Sequence, residues 1–191
     1  AGKSRRLIMK LSKKQDLGYQ VAYITHDDDK RITDGLNQSN PTITTHWSCF
    51  QQANVLFDCF VTGDLTQIED KLRDYHVIGI DEFQFFDRSN VDVVERWVND
   101  NKKIVYSVGL DTNFKGLPFG HINELSFFAD KYKKITAKCE LCRLNKRYNS
   151  KAIFSAKYEG DLTKEKETGG KTMYLPLCRQ HHQHYRRNIL V

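Results

Sequence analysis

The sequence predicts an α/β fold, with a P-loop-type parallel sheet flanked by helices and a small zinc-ribbon lobe after it. Near-continuous apolar strand segments alternate with helical segments up to residue 134, which is typical of a parallel sheet covered on both faces. The chain opens on "AGKS", half of a phosphate-binding loop, and carries paired cysteine and histidine motifs near its end. We therefore expect a P-loop α/β domain over 1–134 and a zinc-binding domain over 135–191.

The first elements are predicted from hydrophobic spacing. A helix is expected from about Gly2, because Leu7, Ile8 and Leu11 recur at helical intervals. A strand, a long polar loop and two short helices follow it, and they are expected at 19–25, 26–45, 49–58 and 64–73.

The next elements alternate between strands and helices. Val91, Val94 and Val98 follow the i, i+3, i+7 pattern of an amphipathic helix over 90–100. Two strands and one further helix are expected at 76–81, 102–110 and 121–130. Short β-type segments follow residue 135, and the charged, apolar-poor segment 155–172 is expected to be a loop.

Composition favours a protein with an anionic partner. The formal net charge is +6, and basic residues concentrate at 131–134 and in "RQHHQHYRR" at 179–187, although either cluster could be an ordinary solvated face. No apolar run reaches the ~18 residues of a membrane span, and no signal peptide opens the chain, so we expect a cytoplasmic protein without a membrane partner. The five cysteines argue against a disulfide framework.

The first four residues indicate a phosphate site. A full loop reads G-x-x-x-x-G-K-[ST] between a strand and a helix, and only its second half is present. Lys3 is expected to reach the β- and γ-phosphates, and Ser4 is expected to bind Mg²⁺ beside the amides that follow Gly2. The first glycine and its strand would lie before residue 1, so we expect either part of a longer protein or a catalytically impaired chain.

The segment "VIGIDEFQFF" at 77–86 is a second candidate site. Asp81 and Glu82 directly follow a buried strand, whose core has no use for two charges. An Asp at the end of a neighbouring strand helps to hold Mg²⁺ in P-loop enzymes. If the extended backbone continues, alternation makes the two side chains face different directions. One carboxylate then serves the metal and the other accepts a proton, as a kinase requires; the alternative is an exposed loop.

Two knuckles indicate a structural zinc site. "KCELCR" at 138–143 supplies Cys-x-x-Cys, and "LCRQHH" at 177–182 supplies Cys-x-x-His. Structural zinc prefers four tetrahedral sulfur and nitrogen ligands. The expected ligands are Cys139, Cys142, Cys178 and His181, with His182 as the alternative for the fourth position.

Several blocks of the sequence resemble type II thymidine kinases, the family of the cytosolic animal enzyme and its bacterial and viral counterparts. The resemblance rests on "DDKRIT" (28–33), "IDEFQFF" (80–86), "GLDTNFKGLPFG" (109–120) and "CELC…GGKTMYLPLCRQHH". It implies transfer of the γ-phosphate of ATP to the 5′-hydroxyl of thymidine, and also of deoxyuridine, in nucleotide salvage. It also implies Mg²⁺ with ATP, a structural Zn²⁺, a homotetramer and feedback inhibition by dTTP.

The resemblance further implies roles for individual residues. Glu82 is the general base, while phosphate and Mg²⁺ are bound by Gly2, Lys3, Ser4 and Asp81. The implied nucleotide and nucleoside contacts are Asp29, Arg31, Gln84, Phe85, Leu110, Phe114, Phe119, Gly169 and Tyr174. Gly169 and Tyr174 lie on a lasso loop, which in the family closes over thymine through main-chain hydrogen bonds and which zinc would anchor.

Three other interpretations stay open at this point. A nucleic-acid-binding zinc ribbon would explain the basic segments, but it leaves Asp81 and Glu82 without a role, so nucleic acid is not the expected partner. A P-loop ATPase would hydrolyse nucleotide without transfer to thymidine. A related deoxynucleoside kinase would prefer another base. Some of the aromatic residues named above, Phe85 and Phe119, could also be ordinary core residues.

Overall fold

The computed structural model describes residues 2–28, 57–145, 150–163 and 173–189. The chain divides into two compact units. One contains Gly2–Gly109 and Gly120–Ala129, and the other contains Leu110–Phe119 and Asp130–Val191.

The first unit contains a four-stranded parallel sheet with helices. Its elements are α1 (Lys3–Asp16), β1 (Val21–Thr25), β2 (Asp58–Val61), β3 (Val77–Ile80), α2 (Ser89–Asn99), β4 (Ile104–Ser107) and α3 (Ile122–Leu125). The strands lie in the order β2-β1-β3-β4, and all neighbouring pairs are parallel. The predicted α/β class is therefore confirmed, as are the predicted helix after Gly2 and the strand that precedes Asp81.

The register brings the carboxyl ends of three strands to one edge of the sheet. Ile24 of β1 pairs with Ile80 of β3, which in turn pairs with Ser107 of β4. The N–H of Asp81 continues this ladder by donating to the carbonyl of Ile24 at 2.9 Å. Ligands of open parallel sheets bind at the carboxyl ends of the strands. Asp81 therefore lies at the edge where a ligand is expected.

Apolar clusters cover both faces of the sheet. On one face, Leu7 and Leu11 of α1 pack in a cluster with Tyr23 of β1. On the other face, Trp97 of α2 packs in a second cluster with Ile78 of β3. This arrangement follows from the period of two along each strand, which sends alternate side chains to opposite faces.

Gly79 permits a close approach of α1 to the sheet. A β-carbon at this position would lie 2.5 Å from Cδ1 of Leu11, which is closer than real contacts allow. Interiors are close-packed, so a side chain on Gly79 would displace the helix. The glycine in the interior of β3 therefore sets the distance between the sheet and α1.

Of the two helices predicted between β1 and β3, the one at 49–58 lies outside the described residues except for Phe57 and Asp58, and Asp58 begins β2. The helix predicted at 64–73 is replaced by two short 3₁₀ turns, Leu65–Ile68 and Asp70–Leu72. Because β2 is an edge strand and half exposed, it lacks the continuous apolar run that marks β3.

The helix predicted at 121–130 is also shorter in the structure, where α3 has four residues. The N–H of Ser126, the residue after the end of α3, donates to the carbonyl of Asn123 at 3.1 Å. Within the described parts of the chain, we find no helix with the length and apolar character needed to cross a bilayer.

In its described residues, the second unit contains two small antiparallel sheets and two helices. Its elements are β5 (Ala137–Lys138), α4 (Glu140–Leu144), β6 (Lys151–Ala152), β7 (Phe154–Lys157), β8 (Tyr174–Leu177) and α5 (Arg179–Ile189). β5 pairs with β6, and β7 pairs with β8. The segment predicted as a loop at 155–172 therefore begins inside a strand, while 164–172 lie outside the described residues.

Tyr185 links α5 to β7. Its hydroxyl donates to the carbonyl of Lys157 at 2.7 Å and accepts the N–H of the same residue at 3.2 Å. Tyr185 is buried in the apolar cluster of this unit. The helix thus replaces hydrogen bonds that the strand cannot make within its two-stranded sheet.

Candidate functional site

Two adjacent carboxylates close the carboxyl end of β3. Asp81 is 2% exposed and Glu82 is 6% exposed. The extended backbone does not continue through them, because Glu82 has a left-handed φ of 51° and leads into a 3₁₀ turn at Phe83–Phe85. The premise that alternation along a strand separates the two side chains is therefore wrong. The left-handed backbone of Glu82 sets the direction of its side chain instead, at a cost of about 1 kcal/mol for a non-glycine residue.

Asp81 is held by three hydrogen bonds. The hydroxyl of Tyr23 donates to Oδ2 at 2.8 Å, and the N–H of Glu82 donates to Oδ1 at 2.9 Å. The hydroxyl of Ser4 is also hydrogen-bonded to Asp81. Because Ser4 lies in the first turn of α1, the positive end of this helix is near the carboxylate. The structure thus brings together two residues that are 77 positions apart in the sequence.

The surroundings of Asp81 oppose its ionisation. Its pKa is raised to about 6, first by burial and second by the negative charge of Glu82, while hydrogen bonds from Ser4, Tyr23 and the Glu82 backbone act in the lowering direction. A cation next to a carboxylate favours the ionised form. The site therefore has the electrostatic character of one that is completed by a cation.

Glu82 has a separate donor. Nε2 of Gln84 donates to Oε2 of Glu82 at 2.6 Å, and Gln84 is 1% exposed. Two glycines give Gln84 its space. A β-carbon on Gly109 would lie 2.5 Å from Oε1 of Gln84, and one on Gly120 would lie 2.0 Å from its carbonyl oxygen. A side chain at Gly109 or Gly120, the glycines on either side of the segment 110–119, would therefore collide with Gln84.

The start of α1 has the geometry of an anion site. Gly2 has a left-handed φ of 74°, and its carbonyl accepts the N–H of Arg6 at 3.1 Å, which closes the first helical turn. Lys3 and Ser4 are the first two residues of this helix. The free N–H groups and the dipole of a helix N-terminus attract phosphate. The predicted phosphate residues therefore lie beside the predicted metal residue, Asp81.

The aromatic residues that follow the carboxylates are buried. Phe86 belongs to the apolar cluster on the α2 face of the sheet, with its ring centroid 4.8 Å from that of His26. The ring of Phe85 is 5.8 Å from the same histidine and is also buried. Phe86 is therefore a core residue, and the nucleoside contact predicted for Phe85 stays a prediction.

The second unit contains a compact cluster of cysteine and histidine side chains. Nδ1 of His181 lies 3.3, 3.5 and 3.4 Å from Sγ of Cys139, Cys142 and Cys178, and the last two sulfur atoms are 3.9 Å apart. These four residues form a candidate metal cluster among the described residues. In a tetrahedral zinc site, Zn–S bonds of ~2.3 Å and Zn–N bonds of ~2.05 Å give separations of about 3.5–3.8 Å. The donor set and its spacing therefore fit zinc.

The protonation of the cluster also suits a metal. Burial raises the pKa of the Cys139 thiol, but hydrogen bonds from the backbone of Cys142 and Cys178 and from His181 lower it to about 6. A cysteine binds metal as the thiolate. Cys139 is therefore prepared for metal binding near neutral pH.

His182 has a different environment from His181. Its Nε2 donates to the carbonyl of Phe114 at 2.8 Å, and its ring stacks on Phe154 with centroids 4.4 Å apart. Burial lowers the pKa of His182, which favours the neutral ring. The geometry therefore favours His181 over His182 as the fourth ligand.

Asn113 shapes the segment 110–119. Its Oδ1 accepts the N–H groups of Lys115 and Leu117, both at 3.0 Å, and Gly116 has a φ of 78° in the resulting turn. Because the carbonyl of Phe114 also accepts from His182, the segment is fixed to the helix that carries His181. No motif in the sequence marks Asn113 or His182 for this task.

The predicted site residues fall into three groups. The carboxylate edge of the first unit brings together Ser4, Asp81, Glu82 and Gln84. In the second unit, Phe114 belongs to the apolar cluster of the cysteines, and Tyr174 of β8 packs against that cluster. Leu110 and Phe119 lie at the two ends of the segment shaped by Asn113. The residues outside the described part of the chain are Asp29, Arg31 and Gly169.

Tyr23 is a residue of the carboxylate site that the sequence did not reveal. It lies 58 positions before Asp81 and reads as an ordinary strand residue. The signal that could have found it is the strand register. Tyr23 pairs with Gly79, two residues before Asp81, so the side chains of Tyr23 and Asp81 project from the same face of the sheet. Sequence alone does not fix which strands are neighbours.

Comparison with known proteins gives one consistent result. The chain matches the thymidine kinase family over residues 1–182. A protein named thymidine kinase from rice (Oryza sativa subsp. japonica) is 32% identical over 188 residues, which are 95% of this chain and 62% of the rice protein. The protein named thymidine kinase from Raccoon poxvirus is 33% identical over 182 residues, which are 94% of this chain and 89% of the viral protein. The chain thus spans less than two thirds of the rice relative.

Proposed function

Because this chain belongs to the thymidine kinase family, we propose that it transfers the γ-phosphate of ATP to the 5′-hydroxyl of thymidine to give dTMP. We propose deoxyuridine as a second acceptor. The proposal rests on the buried pair Asp81 and Glu82, whose carboxylates are adjacent in sequence but have different hydrogen-bond donors. Phosphoryl transfer needs one group beside the phosphates and another that accepts the proton of the acceptor hydroxyl.

We assign the roles of individual residues from the family resemblance and from the neighbours of the two carboxylates. Glu82 accepts the proton of the 5′-hydroxyl as its oxygen attacks the γ-phosphorus, and ADP leaves with the electrons of the broken P–O bond. Lys3 and the N–H groups at the start of α1 bind the phosphates. Ser4 and Asp81 hold the Mg²⁺ that accompanies ATP, which supplies electrostatic stabilisation of the phosphate charge.

The remaining residues serve recognition and stability. We assign nucleoside and nucleotide contacts to Asp29, Arg31, Gln84, Phe85, Leu110, Phe114, Phe119, Gly169 and Tyr174, on the basis of the family resemblance. The four residues of the cysteine and histidine cluster hold a structural Zn²⁺, since four ligands leave no open position. The same resemblance supports a cytoplasmic homotetramer in nucleotide salvage that dTTP inhibits.

The test is a coupled kinase assay with a panel of deoxynucleosides and the variant Glu82→Gln. We expect turnover of thymidine by the unmodified protein and a loss of about 10²–10⁴-fold in kcat in the variant, because an amide cannot accept the proton. ATP binding should be retained, since Gly2, Lys3 and Ser4, which we assign to the phosphates and Mg²⁺, are unchanged in this variant.

Glu95→Gln is the matched control, because Glu95 is exposed on α2 and loses the same charge. It should keep full turnover. Unchanged turnover in Glu82→Gln would remove Glu82 from the mechanism, and ATP hydrolysis without any nucleoside product would favour the P-loop ATPase instead.

A further inference from the structure

Each of the two adjacent carboxylates has its own buried side-chain donor. Tyr23 donates to Asp81 at 2.8 Å, and Gln84 donates to Glu82 at 2.6 Å. Both donors are 1% exposed. Their placement is not accounted for by the proposed roles of the carboxylates alone, so it needs a separate explanation.

Two neighbouring carboxylates present a problem of selectivity. A cation between them could be bound by either group, and a carboxylate that binds a cation is a poor proton acceptor. Their backbones are one residue apart, so distance along the chain cannot separate their tasks. Something else must fix which carboxylate faces the start of α1.

Tyr23 fixes Asp81. Its ring belongs to the apolar cluster between α1 and the sheet, so the hydroxyl has a defined position. It pairs with Gly79 in the sheet and therefore projects from the same face as Asp81, on the side of α1. With Oδ2 bonded to Tyr23 and Oδ1 to the N–H of Glu82, the Asp81 carboxylate has a single orientation.

Gln84 fixes Glu82 by a different route. It lies in the 3₁₀ turn that begins directly after Glu82. Gly109 and Gly120 approach its side-chain and main-chain oxygen atoms so closely that a β-carbon on either would collide with Gln84. The amide therefore has little freedom, and its donor group fixes the position of Oε2 of Glu82.

We propose that Tyr23 and Gln84 are positioning residues that divide the work of the carboxylate pair, with Tyr23 keeping Asp81 at the cation position and Gln84 keeping Glu82 as the proton acceptor. This inference rests on the proposed function for the Gln84 arm, whereas the Tyr23 arm concerns cation binding and can be tested without turnover. Residues that orient metal ligands typically change metal affinity or activity by 10–100-fold when they are removed.

The experiment compares Tyr23→Phe and Gln84→Met, which delete one donor each and keep the volume of the side chain. The first readout is binding of Mn²⁺ to the protein saturated with ADP, followed by the electron paramagnetic resonance signal of free Mn²⁺. The second is kcat and KM for thymidine at increasing Mg²⁺ concentration. Circular dichroism and thermal denaturation establish that each variant is folded.

We expect opposite patterns in the two variants. Tyr23→Phe should weaken Mn²⁺ binding about tenfold and raise the Mg²⁺ requirement similarly, with kcat at saturating Mg²⁺ nearly restored. Gln84→Met should leave Mn²⁺ binding unchanged and lower kcat by about 10–100-fold. A merely structural role would change both parameters in both variants.

Matched controls exist in the same unit. Tyr75 donates to Asp58 at 2.7 Å at an exposed position away from this edge, so Tyr75→Phe removes an equivalent bond. Gln67 is exposed in a 3₁₀ turn, so Gln67→Met repeats the second exchange. Both should match the unmodified protein in both readouts.

A double-mutant cycle gives the final discrimination. In the Asp81→Asn background, Tyr23→Phe should have no further effect on Mn²⁺ binding, because its partner has lost the negative charge. Unchanged Mn²⁺ binding in Tyr23→Phe, or equal changes of both parameters in both variants, would overturn the proposal. If the unmodified protein binds Mn²⁺ with ADP but phosphorylates no deoxynucleoside, the proposed function fails and the Tyr23 arm is still decided by binding.

Discussion

Both units bury a cluster of ionisable side chains, but the clusters differ in their relation to the surrounding core. In the first unit, Asp81 and Glu82 lie at the edge of a sheet whose apolar clusters do not include them. In the second unit, Cys139, Cys142 and Cys178 are three of the eight buried members of the apolar cluster. The first unit has an apolar core without its carboxylates, whereas the cysteines form a large part of the core of the second unit.

This difference indicates what each cluster contributes to stability. Two buried like charges oppose folding, so the carboxylate pair is maintained against the stability of its own unit. Small domains with few apolar residues need a metal or a disulfide to fold. The cysteine cluster is therefore expected to support its unit, and removal of the two clusters should have effects of opposite sign.

The largest expected effect is the loss of zinc from the second unit. We expect about one zinc ion per chain, and Cys139→Ser should remove it by deleting one of the four ligands. The loss should be large, because structural zinc supplies on the order of 10 kcal/mol of apparent binding free energy. Hydrogen exchange should show loss of protection in β7, β8 and α5, while β1 and β3 stay protected. Metal analysis and exchange mass spectrometry measure the two outcomes.

Cys59→Ser is the control for this experiment, since Cys59 lies partly buried in β2 of the first unit. It should retain its zinc and its protection pattern. A metal-free protein with protected β7 and β8 amides would break the comparison, because the second unit would then have a sufficient core without the ion.

The second effect in size tests whether the carboxylate edge depends on close packing. Gly120→Ala should destabilise the first unit by about 2–5 kcal/mol, because it adds a collision with the carbonyl of Gln84 to the strain of a φ of 56°. Gly18 also has a positive φ, of 84°, but open space around it. Gly18→Ala should therefore cost only about 1–2 kcal/mol.

Urea denaturation of the two glycine variants separates strain from collision. Equal losses of stability would mean that backbone strain explains both and that Gln84 has room to move. A larger loss in Gly120→Ala, accompanied by reduced turnover, would support the view that the glycines hold Gln84 in place.

The smallest effect has the opposite sign. The folded-state pKa of Asp81, about 6, lies above its ordinary value of 3.8. The protonated Asp81 side chain therefore contributes its full stabilisation to the free energy of unfolding below pH 3.8, and this stabilisation is lost as the pH rises through about 6. At pH 8 without Mg²⁺ or nucleotide, Asp81→Asn should stabilise the first unit by on the order of 2–3 kcal/mol, and the gain should shrink toward pH 5.

Hydrogen exchange of the β1 and β3 amides measures this gain in the first unit alone. Asp100→Asn removes a charge from an exposed position after α2 and should change stability little at either pH. If Asp81→Asn is no more stable than the unmodified protein at pH 8, the carboxylate pair does not oppose folding, and the contrast between the units fails on that side.

Elements with a strong hydrophobic period were predictable from sequence. β3 is a continuous buried run, and α1 carries Leu7, Ile8 and Leu11 on one face, so burial and period agree. β2 and the 3₁₀ turns after it were not predictable, because their conformation depends on pairing with β1 and on packing against α2. Local spacing contains no information on either contact.

The candidate sites were predictable where residues adjacent in sequence act together. Asp81 and Glu82, and both knuckles of the cysteine cluster, are of this kind. Tyr23 and His182 were not, because each acts through a partner that is 58 or 68 positions away and is reached only in the folded chain. His181 was expected as the cluster histidine from the Cys-x-x-His spacing, and the geometry agrees with it over the alternative, His182.

Gly79 offers no functional group, yet its missing side chain has a consequence at a distance. Leu11 occupies the space above it, so the combined size of the residues at positions 11 and 79 sets the distance between α1 and the sheet. Since Ser4 belongs to the same helix, a larger residue at position 79 would lift the hydroxyl away from the carboxylate while the sheet stays in place. Evolutionary exchange at position 79 is therefore expected only together with a smaller residue at position 11, and a mutational library that protects only polar residues would lose the contact between Ser4 and Asp81 through a change in an apolar strand.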